Sequence, residues 1–143
     1  MNASATPKRV DYDFAVLRVV PRVHLGAFIN VGVVVHARTV EFLALRVLAD
    51  ERELANRAPG IDVELLARYL RSCVAICAGD ATAGPMALAP TSERFHWLTA
   101  PRSDVLQSSP VHEGISDDPR RALDRLFEEY VVFARAGGLA GGR

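Results

Sequence analysis

Lysine is nearly missing from this chain. Sixteen of its 17 basic residues are arginine, and the single lysine, Lys8, lies in a polar lead before any periodic segment. A phosphate-binding P-loop, a kinase-type lysine, a Schiff-base enzyme or a serine–lysine hydrolase each needs a lysine inside the fold, so these classes are set aside. Cysteine is equally scarce. Cys73 and Cys77 are the only two; their spacing fits no zinc or redox template, and four residues apart on one helix they are poorly placed to bridge each other. A reduced, cytoplasmic protein is expected. Net charge is also lacking, with 17 basic residues against 17 acidic ones. No overall field therefore draws the chain to an anionic membrane or to nucleic acid, and the arginines are scattered among acids rather than clustered. The longest apolar run, around residues 27–35, is far short of a membrane span and contains Asn30. The opening Met1–Pro7 has no basic region leading into an apolar core, so no signal peptide is read. There is no glycine-rich nucleotide loop either, because Gly26 and Gly32 are too widely separated.

What remains is an ordinary globular balance. Half of the 143 residues are hydrophobic and 24% are charged, enough for one domain that buries roughly 68–70% of its unfolded surface. Residues 1–11 are expected to be a flexible lead, 12–136 a single domain and 137–143 a flexible tail rich in glycine. Tyr12–Arg22 is rich in β-branched and aromatic types and predicts a strand that ends at Pro21. Ala27–Ala37 predicts a second strand, with Ile29, Val31, Val33 and Val35 on one face and Asn30 and Gly32 on the other. Arg38-Thr39 permits a tight reversal into a third, Val40–Ala49, completing an antiparallel meander. Both faces of the second strand are largely apolar, which places it inside the sheet with cover on each side.

Helical signals follow. Residues 50–57 are charged and predict a short helix, and a longer one runs from Asp62 to about Ala78. Asp62 is its natural N-cap, Ile61 and Leu66 have the spacing of a hydrophobic staple, and Gly79 suits the position after the C-cap. Leu66, Tyr69, Leu70, Cys73 and Cys77 fall on one stripe, which turns both cysteines to the core. Thr91 or Ser92 can cap a short helix through Trp97, and an extended segment follows near 102–111. Asp118-Pro119 starts the last helix, with Leu123, Leu126, Phe127, Tyr130 and Ala134 on one face. Early strands with later helices predict an α+β fold, an antiparallel sheet packed against two main helices.

Two stretches stand out for polar content. In 21–32, Arg22 and Asn30 are candidate contacts for a ligand or partner. An asparagine in an apolar interior strand must be hydrogen-bonded, since leaving it unsatisfied costs about 1–3 kcal/mol. It either ties down a neighbouring loop or touches a ligand. Gly32 is read as relief of crowding under a helix. In 92–103, Arg94 and Arg102 can form a fork for a carboxylate or phosphate, with Trp97 stacking beside them and His96 and Ser103 in reach. The alternative is that Phe95, Trp97 and Leu98 pack while the arginines pair with Glu93 and Asp104.

Near-matches to catalytic motifs fail on spacing. His112-Glu113-Gly114-Ile115-Ser116 starts like a zincin but has Ser116 where the second histidine belongs. Asp117-Asp118 read as helix-start carboxylates. Ser103 as a nucleophile needs His96 or His112 within hydrogen-bond reach, and no nucleophile elbow supports it. No catalytic residue, metal ligand or cofactor is assigned.

Tyr12–Arg22, the strand Gly26–Val34, and Ser92–Leu98 with Pro101-Arg102-Ser103 together resemble the bacterial family catalogued as domain of unknown function 3037, over about Tyr12 to Val132. The resemblance implies a short bacterial protein with no established activity. Members often carry an acidic residue at the position of Ala27, which this chain lacks. It also implies a neighbouring HipA-like kinase, and with it an accessory or partner role. Two functions stay open: a non-catalytic accessory protein that binds a partner through the polar junction or a sheet edge, and a small anion-binding module or enzyme built on Arg94, His96 and Arg102. Nucleic-acid binding would need a basic face that neutral charge does not promise. A deep pocket lined by Arg94, His96, Arg102 and Asn30 favours the anion site, and a shallow apolar patch favours the partner. Oligomeric state stays open.

Overall fold

The computed structural model describes residues 8–20, 28–101 and 105–133. The meander forms as the sequence predicts, from β1 (Val10–Val19), β2 (Ile29–Ala37) and β3 (Phe42–Val47), each antiparallel to the next. The third strand starts two residues later than expected. The reversal needs a 3-10 turn at Arg38–Val40, and Glu41 closes it in the left-handed region at φ 51°.

The free edge of β1 is filled from the far end of the chain. β4 (Leu106–Ser108) and β5 (His112–Ser116) both run antiparallel to β1, one against its C-terminal part and one against its N-terminal part. Between them Ser109 keeps the ladder intact. Its N–H donates to the Val16 carbonyl at 2.8 Å and its hydroxyl accepts from the Val16 N–H at 2.9 Å. Pro110, which has no N–H to offer, follows at the break. The sheet order is β3-β2-β1-β4, with β5 also on β1. Both β1 and β2 are interior strands, and β2 lies where its apolar faces predict.

Helices cover both faces. After β3 come α1 (Glu51–Arg57), α2 (Val63–Cys77) and α3 (Thr91–Thr99), and after β5 comes α4 (Pro119–Phe127), which continues as a π-helical turn over Glu128–Val132. The N-caps of α1, α2 and α4 are aspartates. Asp50, Asp62 and Asp118 each accept a hydrogen bond from the backbone N–H of the first turn. Gly79 takes φ +78° just past α2, as its sequence position requires.

One core, on the α2 face, gathers Ala15, Leu17, Val19, Val31, Val34 and Leu45 under Leu66, Leu70, Cys73, Cys77, Phe95 and Leu98. The other packs Tyr12, Phe14, Val16, Val33 and Val35 against Leu123, Leu126, Phe127 and Val131. Tyr69 does not join the α2 stripe. The buried face is centred on Leu66, Leu70, Cys73 and Cys77, and Ala67 turns inward while Tyr69 is exposed. Among the described residues no helix is long and apolar enough to cross a membrane.

The face assignment along β2 is a second correction. Leu17 pairs with Gly32 but Arg18 pairs with Asn30, so Val31 is an extra residue on β2. Such a bulge reverses the alternation. Val31 therefore packs on the α2 face while Val33 and Val35 pack on the α4 face. Asn30 shares the α4 face rather than opposing it. Gly32 is hemmed in by β3, not by a helix: a Cβ there would meet the Arg46 carbonyl and Val47 Cγ1, each at 3.1 Å.

Candidate functional site

The polar stretch around α3 resolves into two unlike halves. Arg94 points inward and closes the C-terminal end of α2. Its Nη1 donates to the carbonyls of Ile76 (3.1 Å) and Cys77 (2.8 Å), and its Nε to the Ala89 carbonyl at 2.8 Å. Helix ends leave carbonyls without intrahelical partners, and a guanidinium there answers both the hydrogen bonds and the dipole. Among the described residues no carboxylate, Glu93 included, pairs with it. Arg94 also moderates the Cys77 thiol, which burial and Cys73 nonetheless push up to about 12.

The outer side of α3 faces solvent. Met86, Ser92, Glu93, His96, Trp97 and Ala100 line a wide, shallow groove of about 740 Å³, mostly apolar in its walls. His96 is exposed, and Trp97 is half-buried with its inner side against the α2-face core. Two residues on from Met86, Leu88 is 71% exposed. Thr91 does not cap α3. The helix starts after Pro90, whose carbonyl accepts from the N–H groups of Glu93 and Arg94. The Thr91 hydroxyl instead meets His36 Nε2 at 3.2 Å. That histidine is buried in β2, stacks on Phe95 at 5.2 Å, and is pulled below its ordinary pKa first by burial, with Arg38 and Arg94 lowering it and Asp13 opposing.

Asn30 lies on the other face of the sheet and takes no part in this groove. Its Nδ2 donates to the Tyr130 carbonyl in the π turn at 3.0 Å, which ties down the end of the last helix. Its Oδ1 is buried with no hydrogen-bond partner among the described residues. Opposite it on β1 is Arg18, which sequence reasoning passed over. The signal was there: an arginine between Leu17 and Val19 in an otherwise apolar strand. The Arg18 guanidinium lies 4.0 Å over the Phe28 ring, its Nε is buried with no hydrogen-bond partner among the described residues, and burial lowers its pKa. Arg22, Ala27, Arg102 and Ser103 lie outside the described residues. The zincin-like His112 stands on strand β5, its ring 5.3 Å from that of Phe14. Among the described residues no three His, Cys, Asp or Glu side chains come together as a metal set.

A family model described as "Protein of unknown function (DUF3037)" matches residues 14–131, nearly the whole of the sheet and its helices. The chain belongs to that family. No curated protein and no solved structure matches it. The matched region runs from Phe14 in β1 to Val131 in the π turn, so it takes in the α3 groove and the Arg18–Asn30 pair together.

Proposed function

We propose that this DUF3037 protein is a non-catalytic accessory factor that docks a protein partner on the outer side of α3. The observation that carries this reading is the form of the groove: broad, shallow, apolar in its walls and lined by the single tryptophan, with Leu88 exposed two residues on from Met86. Small-molecule sites are concave and enclose most of their ligand, whereas apolar patches rimmed by polar groups are typical of protein contacts. Aromatic side chains such as Trp97 are favoured anchors in such contacts, and His96, Ser92 and Glu93 supply a polar rim. With Arg94 committed to the end of α2, the arginine fork that would favour an anionic substrate here has lost one prong. A HipA-like kinase, which the family resemblance implies as a neighbour, is the first partner to try.

The test is co-purification of the tagged full-length chain with the HipA-like kinase of the same host, for wild type and for Met86→Glu/His96→Glu. Both substituted side chains reach solvent or the groove, so folding should survive, as circular dichroism would check. A stoichiometric complex with wild type, weakened at least about tenfold in the double variant, is expected for a contact centred on this patch. Equal recovery of the kinase by both proteins would remove α3 as the docking face. No complex with wild type would remove the kinase as partner.

A further inference from the structure

Two departures from regular structure converge on the α4 face at one end of the sheet. The bulge at Val31 re-aims β2 between the Leu17–Gly32 and Arg18–Asn30 pairs, and the π turn at Glu128–Val132 brings the Tyr130 carbonyl onto Asn30. Bulges and π turns are both over-represented beside functional sites. Arg57 supports the turn from the other side, its Nη1 donating to the Val131 carbonyl at 2.7 Å.

What this frame holds is an arginine out of place. Arg18 is flanked in sequence by two fully buried residues, Leu17 and Val19, and its guanidinium rests on Phe28. Among the described residues the ion pairs involve Arg46, Arg57, Arg68, Arg121 and Arg125, never Arg18. A partly desolvated cation without a counter-charge is costly, and a buried amide oxygen without a donor adds to that cost. Arg18 and Asn30 pair in register across the two strands, and among the described residues Arg18 Nε and Asn30 Oδ1 each lack a hydrogen-bond partner. The pair presents one positive donor and one neutral acceptor side by side. The group that satisfies both has an anionic oxygen for Arg18 and an O–H or N–H for Asn30. A single cation at the edge of a core also favours one negative charge over two.

We propose that Arg18 and Asn30 bind a small monoanion that carries a hydrogen-bond donor next to its anionic oxygens, such as an α-hydroxy carboxylate or a protonated phosphate. The guanidinium supplies the charge and a planar pair of donors, the Phe28 ring fixes its plane, and the Asn30 oxygen reads the neighbouring donor. This site lies on the opposite face from the α3 groove and does not depend on the partner-docking reading.

The experiment is thermal unfolding of the full chain with sodium glycolate, acetate or phosphate at equal ionic strength, for wild type, Arg18→Met and Asn30→Ser. Glycolate and acetate share a carboxylate and differ by the hydroxyl that Asn30 would read. For wild type, glycolate should give a saturable rise of about 4 °C at about ten times its dissociation constant, with acetate much weaker. Phosphate exceeding glycolate would assign a phosphate-type head, and the reverse a carboxylate. Arg18→Met should hold or raise the melting temperature without ligand, because it removes an unpaired charge and keeps contact with Phe28, and it should abolish the response to every anion. Asn30→Ser should bring glycolate down to the level of acetate. A flat response of wild type to all three anions overturns the site, as does the same response in Arg18→Met. Equal responses to glycolate and acetate in wild type overturn the role given to Asn30.

Discussion

His36 enters β2 with its imidazole closed in between the Phe95 ring and the Thr91 hydroxyl, and this fixes the sign of one pH effect. Burial is the main cause that holds its pKa below the ordinary 6.5; Asp13 pulls the other way while Arg38 and Arg94 reinforce it. The unfolded chain therefore binds the proton more readily than the folded one. Stability from this group is complete above the ordinary value and is lost as pH falls through it. The urea midpoint should stay level from about pH 8 to about pH 7 and then decline toward about pH 5.5, before the carboxylates titrate. His36→Gln should flatten that decline while leaving an uncharged hydrogen-bonding group opposite Thr91. An unchanged slope in the variant would assign the pH dependence elsewhere. Arg94 illustrates the same scale from the other side. Its residue type and its place beside Trp97 suit an anion fork, but three carbonyls at the end of α2 and in the following loop hold it. No sequence pattern separates an arginine that caps a helix from one that waits for a ligand, because the carbonyls it meets belong to residues 5, 17 and 18 positions away.

At the scale of elements, β5 depends on one close approach. Gly114 pairs with Tyr12, and a Cβ at that glycine would collide with the Tyr12 ring. The tyrosine lies flat over the gap, with its hydroxyl accepting from Arg125 Nη2 at 3.2 Å. Gly114→Ala should destabilise the protein by about 1–3 kcal/mol through overpacking, read as a lower urea midpoint. Combining it with Tyr12→Val should cost less than the sum of the two single changes, since the ring that clashes is gone. Additive losses would show that the contact is not what limits the strand. Much at this scale was legible beforehand. The meander follows from β-branched runs broken by turn residues, and Asp62, Gly79 and Asp118-Pro119 mark helix ends by chemistry that is local in sequence. The bulge was not legible. Residues 31–35 are apolar on both faces apart from Gly32, so a one-residue slip changes nothing in the pattern, and only the pairing with Leu17 and Arg18 reveals that Asn30 shares a face with Val33. The extended segment near 102–111 was legible and holds β4, but its pairing with β1 and the continuation into β5 were hidden for a related reason. Ser109 replaces a backbone partner with its hydroxyl, and a side chain doing that work leaves no periodicity to read.

For the whole molecule, one sheet serves two cores, and neither core is closed without the other's strands. Val33 and Val35 point to α4 while their neighbours Val31 and Val34 point to α2, so the same two interior strands hold both layers. Removing residues 118–143 would strip Leu123, Leu126, Phe127 and Val131 from the α4 face. Each buried side chain of this kind is worth about 1.5–3 kcal/mol, so the loss is about 6–12 kcal/mol, comparable with the whole stability of an ordinary domain. The truncated chain should lose cooperative unfolding altogether rather than persist as a smaller sheet with one layer of helices. Trp97 offers a readout on the far side of the sheet, since it packs against the α2-face core, whose residues the truncation leaves in place. If the two layers are coupled through β1 and β2, its emission should shift to the red on truncation even though the α2-face core residues it packs against are all retained. A blue, native-like emission with a cooperative urea transition would mean that the α2 layer stands alone, and that the α4 face is an attachment rather than half of the fold.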